Sequence, residues 1–214
     1  MKKRILLPVL SLMLAANVFG QTSGTITVSG SDPEAISATN TSDTVLSSTV
    51  NLGTLTPTTG SSLVTGSTQI RLRSNKAYTV SAQATSLSFV GAGSADGGSS
   101  LALSDIGFGI SSTDASGANV ANTTGHSVVN LFNYDPSTVA ASNGLTPFVS
   151  GTHGTLSDLS SNTQIMSGPR ISKQGNMSTN NNFVLVTMKM ATLPQYFTPN
   201  TSFSTTITLT VALQ

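Results

Sequence analysis

The stretch QIRLRSNKAYTVSAQA, residues 69–84, decides how the chain is read. Ile70 and Leu72 alternate with Arg71 and Arg73. After Ser74-Asn75, Tyr78, Val80 and Ala82 alternate with Thr79, Ser81 and Gln83. Side chains along a strand point to opposite faces in turn, so a period of two marks two half-buried strands. The short Ser-Asn break predicts a hairpin of these strands, with one buried and one wet face. Arg71, Arg73 and Lys76 then crowd its exposed side.

The same period recurs in both directions from this stretch. In GTITVSG (24–30), Ile26 and Val28 oppose Thr25 and Thr27. VLSSTVNLGTL predicts a strand over 45–52, and TSLSFVG places Leu87 and Phe89 inward. Ile106, Phe108 and Ile110 alternate with glycines, and SVVNLFNY (127–134) reads as another short strand. FVLVTMKMA (183–191) and FSTTITLTVAL (203–213) are the clearest strands, and Met188 and Met190 read as core. The Gly/Ser-rich segments at about 91–100 and 135–182 predict long loops, the second with small strands in it. Apolar residues at helical spacing do not persist over three turns anywhere after the N-terminus, and no repeat supports a solenoid. The predicted fold is all-β: a single Ig-like or pilin-like Greek-key β-sandwich of about 8–10 strands over residues 21–214.

Composition narrows the function classes. Charged residues are 8% of the chain, against about 25% in an average soluble domain. Ser and Thr, roughly a third of the residues, supply the polar surface instead. The absence of cysteine removes disulfides, thiolate catalysis and Cys-based metal centres. Residues 1–20, with Lys2, Lys3 and Arg4 before an apolar run, have the pattern of a signal peptide. No second apolar segment follows, so the mature chain is expected to have no membrane span. Loss of the leader removes three of the nine basic residues and leaves six against eight acidic ones, a net charge of about −2. A nucleic-acid partner loses its electrostatic basis.

Candidate chemistry is sparse. Arg71 and Arg73 lie about 7 Å apart by strand geometry and, with Lys76, could hold a sulfate, phosphate or uronate. The plainer reading is a solvated face that discourages edge-to-edge aggregation. Asp96, Asp105 and Asp114 recur every nine residues, but without the paired glycines of calcium-binding nonapeptides. His126 and His153 are the only histidines. A Ser-His-Asp set drawn with Ser127 and Asp135 lacks a nucleophile elbow. No catalytic residue, metal or cofactor is expected, and the chain is read as a non-enzyme.

Three pieces together resemble a known family: Leu52-Gly53-Thr54-Leu55-Thr56-Pro57, Ala77-Tyr78-Thr79-Val80, and the Thr-alternating run Thr206 to Leu213. With the leader, they are similar to secreted bacterial domains of the spore coat protein U type and to archaic chaperone–usher pilins. The resemblance implies a structural subunit of an extracellular surface fibre or coat, exported through the periplasm. Its expected partners are copies of itself or related surface subunits, with a periplasmic chaperone. The resemblance makes residues 22–30, with Thr25, Ile26, Thr27 and Val28, a segment donated to a neighbour's sheet. It makes 203–213, with Ile207, Leu209, Val211 and Leu213, the strand beside the acceptor groove. The alternative is a secreted adhesin or glycan-binding module acting through its loops, where Tyr134 and Phe148 are the aromatic candidates.

Overall fold

The computed structural model describes residues 29–31, 34–57, 62–91, 100–114, 126–141, 147–171, 183–195, 197 and 202–214. The chain divides into two compact units, Met1–Pro33 and Glu34–Gln214. Of the first, only 29–31 are described, without regular secondary structure. The leader and the candidate donor residues Thr25, Ile26, Thr27 and Val28 therefore lie outside the described residues.

The second unit is an all-β sandwich of ten described strands, every pair antiparallel. They are β1 (Ile36–Thr39), β2 (Val64–Ser74), β3 (Tyr78–Ala84), β4 (Ser88–Val90), β5 (Ile106–Asp114), β6 (Ser127–Val128), β7 (Thr163–Gly168), β8 (Val184–Thr192), β9 (Ser202–Ser204) and β10 (Ile207–Leu213). One sheet has the order β1-β2-β8-β5 and the other β10-β3-β7-β6, while β4 and β9 form a separate ribbon. Single-turn 3-10 segments sit at Leu103–Asp105, Asn130–Phe132, Pro136–Thr138 and Leu156–Leu159.

The opening stretch is not a hairpin. β2 belongs to one sheet and β3 to the other, so residues 75–77 arch across the core. Ser74 holds the arch, its hydroxyl donating to Lys76 O at 2.7 Å. Asn75 closes it onto Ala35, accepting from Ala35 N at 2.8 Å and donating its own N–H to Ala35 O at 3.1 Å. The predicted inward residues are correct: Ile70, Leu72, Tyr78, Val80 and Ala82 are all buried. They face each other from opposite sheets instead of sharing one face.

β8 shows why its sequence is apolar on both faces. It pairs with β2 from Val64↔Thr192 to Leu72↔Val184 and with β5 on its other side. Val184, Val186, Met188 and Met190 enter the core, while Leu185 and Ala191 are buried on the outer face. A strand covered on both faces reads as a near-continuous apolar run. Each buried Val, Leu or Met side chain contributes roughly 1.5–3 kcal/mol. The outer cover includes residues near 134–136 and 148. A Cβ on Gly109 would lie 2.2 Å from Tyr134 O, and one on Gly107 would lie 2.4 Å from the Phe148 ring.

Three further expectations change. Residues 46–57 form no ladder; Val45 makes an isolated bridge to Thr39 and is 85% exposed. Val50 and Leu52 instead pack over Gly66 of β2. Phe89 does not point inward: β4 is exposed along its length, and Phe89 sits opposite Phe203 in the β4–β9 ribbon. The strand expected over 127–134 is two residues of β6 followed by a 3-10 turn. Phe132 of that turn meets Phe108 edge-on at 5.8 Å.

Candidate functional site

The strand expected beside an acceptor groove is β10, at the end of its sheet. It pairs with β3 over seven residue positions, from Ile207↔Ala84 to Leu213↔Tyr78, without a bulge. Thr206 O accepts from Thr85 N at 2.9 Å, and Gln214 N donates to Ala77 O at 2.9 Å. In an antiparallel ladder alternate residues turn their backbone groups to the same neighbour. The even-numbered residues therefore bond to β3. Ile207, Leu209, Val211 and Leu213 turn their N–H and C=O groups to the opposite edge. Among the described residues no strand pairs with that edge.

The side chains of the same four residues are only half-buried. Ile207, Leu209 and Val211 pack against the core, as do Ile36 and Ala38 of β1, which are also half-buried. β1 and β10 approach each other across this side of the sandwich. Threonines 208 and 210 face solvent. The result is a backbone edge left unpaired among the described residues, beside a partly filled apolar row, with no charge, proline or bulge within β10 to block strand addition.

The basic cluster is built differently from either expectation. Arg71 and Arg73 do not form a wet face: β2 is an inner strand, and the Arg73 side chain is 9% exposed. Both guanidinium groups lie over the buried Phe183 ring, at 4.5 and 5.3 Å from its centre. Asp43 joins them, its Oδ2 accepting from Arg71 at 2.8 Å and its Oδ1 from Arg73 at 2.6 Å. Arg73 also donates to Thr39 Oγ1 at 3.1 Å. Partial burial pushes the Asp43 carboxyl up, but the hydrogen bonds and charges of Arg73 and Arg71 outweigh it and hold its pKa below the ordinary value. Lys76 pairs with Glu34. All three predicted basic residues are thus engaged within the chain. Arg71 and Arg73 form a clasp that ties the turn after β1 to β2.

Asp43 is the member that sequence reasoning misses. Its φ is 60°, a left-handed conformation that Asp tolerates better than most residues. Asn40 sets the turn, its Oδ1 accepting from Ser42 N at 2.9 Å and Thr44 N at 3.1 Å. Asn40-Thr41-Ser42-Asp43 is a visible turn signal. Nothing in it indicates that the turn folds over β2.

The remaining candidates are dispersed. Asp105 caps its own turn, accepting from Ala102 N at 2.8 Å; Asp96 lies outside the described residues. His126 Nδ1 is 2.8 Å from the Tyr78 hydroxyl, while Asp135 is engaged with Ser137 and Lys189. The structure therefore does not assemble His126, Ser127 and Asp135 into a triad. Among the described residues no three His, Asp or Glu side chains converge as a metal site. Phe148 is 5% exposed and belongs to the packing, leaving Tyr134 as the accessible aromatic of that pair. Comparison with protein-family models and with curated proteins finds no match to this chain.

Proposed function

We propose that this chain is a structural subunit of an extracellular bacterial surface fibre or coat, exported through the periplasm and assembled by strand addition. The observation that carries this reading is β10, which has a backbone edge that no described strand pairs with and a half-buried row of Ile207, Leu209, Val211 and Leu213 on one strand. An added strand would satisfy the backbone groups and cover the apolar row together. Residues 22–30 of a second copy are the proposed donor, because Ile26 and Val28 repeat the period of that row. The resemblance to spore coat protein U and archaic pilins supports the same assignment. Function would rest on association between copies, with no chemical step.

The test is particle mass by light scattering, with negative-stain imaging, for the exported chain and two variants. One variant lacks residues 22–30, and the other carries Leu209→Lys on the acceptor edge. The parent chain is expected to form oligomers or filaments, while both variants stay folded and monomeric. Filaments of parental length from either variant, or a parent that stays monomeric at high concentration, would overturn the proposal.

A further inference from the structure

On the outer side of the β5–β8 pair lies an open cleft of about 510 Å³, whose walls include Tyr134, Asp135, Thr138, Pro147, Val149 and His153. Its volume falls within the ~300–1,000 Å³ typical of small-molecule sites. The cleft and the β10 edge belong to different sheets, so this inference does not depend on the assembly reading.

The chemistry of the walls is specific. Val149 N donates to His153 Nδ1 at 3.2 Å. A ring accepting at Nδ1 is the neutral imidazole with its proton on Nε2. Nε2–H is then the donor it can offer a ligand. Asp135 Oδ1 accepts from the Ser137 N–H at 3.0 Å and from its hydroxyl at 2.6 Å, while Oδ2 is ion-paired with Lys189. Burial pushes the Asp135 carboxyl up, but the bonds from Lys189 and Ser137 prevail and keep it ionised. The pair cancels its own charge, so neither a cation nor an anion is favoured. Tyr134 and His153 stand with their rings 5.0 Å apart, beside Pro147 and the 59% exposed Val149.

We infer that this cleft binds a neutral saccharide. A sugar ring presents an apolar C–H face and a rim of hydroxyls that both donate and accept. The apolar face fits the Tyr134–Pro147–Val149 side. The hydroxyls fit His153 Nε2–H, a lone pair of Thr138 Oγ1, whose proton goes to Asp135 O at 2.9 Å, and the remaining lone pair of Asp135 Oδ2. A charged sugar would have to compete with the Asp135–Lys189 pair.

The test is isothermal titration calorimetry of the purified chain with neutral trisaccharides of glucose, mannose, galactose and N-acetylglucosamine, and with trigalacturonate as the acidic contrast. At least one neutral trisaccharide is expected to bind. His153→Asn, which loses the Nε2 donor, and Thr138→Val are each expected to weaken it about tenfold, the loss of one hydrogen bond. Asn Oδ1 takes the place of His153 Nδ1 and can still accept from Val149 N–H, and Thr138→Val gives up only the exposed bond to Asp135 O, so circular dichroism should match the parent and melting should stay close to it. Binding of trigalacturonate alone, no heat with any neutral sugar, or neutral-sugar binding unchanged in both variants would overturn the inference.

Discussion

β5 and β10 both end a sheet, and both carry alternating apolar residues, yet the molecule treats them in opposite ways. On β5, Ile106, Phe108 and Ile110 are 0–1% exposed. Its outer backbone is covered by the chain near 154, with Phe108 N donating to Gly154 O at 2.9 Å and a bridge from Gly107 to Thr155. A bulge between Ile110 and Ser112 interrupts the edge further along. β10 has no such cover among the described residues, and its apolar row is half-buried. A buried edge is part of a fold, whereas an edge that the described strands leave unpaired still offers its backbone groups to a further strand.

Truncation should separate the two edges most strongly. Phe108→Ala removes a fully buried ring that meets Phe132, and should cost about 3–5 kcal/mol in urea unfolding. Leu209→Ala on β10 should cost about 1 kcal/mol, because half of that burial is missing in the single chain. Equal losses would erase the distinction between the edges.

A smaller effect is expected at the clasp beside β1. Asn tolerates a left-handed φ, so Asp43→Asn isolates the loss of charge opposite Arg71 and Arg73. It should cost about 1–2 kcal/mol at pH 7. Because the folded pKa of Asp43 lies below the unfolded value of about 3.9, the contribution is complete above that value. It disappears as pH falls through the lowered folded pKa. Melting curves of parent and variant should therefore converge in acid. A constant gap down to low pH would mean that the carboxylate is not the source. The smallest effect belongs to the solvent face of β10: Thr210→Val should change stability by less than about 0.5 kcal/mol. If it also strengthens association measured by light scattering, the outer face of β10 takes part in contact as well as its edge.

Most strand positions were legible because they depend on local chemistry. Ile70, Leu72, Val80, Val186 and Met188 could be assigned inward from alternation alone, and all are buried. The second face of β8 is apolar in sequence too, but that both of its faces are covered emerges only from the structure. Val45 and Phe89 failed because the same alternation can occur where the chain lies beyond the ladder or in a projecting ribbon. The clasp was half legible: the arginines stood out, but their partner lies 28 and 30 residues away.

What the sequence determined by itself was strand character and which residues of most strands seek the core, since a period of two is a property of one strand and its solvent. What the tertiary structure decided was which strand meets which. The residues of 69–84 could be buried equally well side by side or face to face, and the choice depends on β8, β7 and β10 supplying ladders from far along the chain. The same holds for the edges. Gly154 covers β5 and no described strand covers β10, a difference that no local pattern encodes because backbone pairing is settled by the whole sheet.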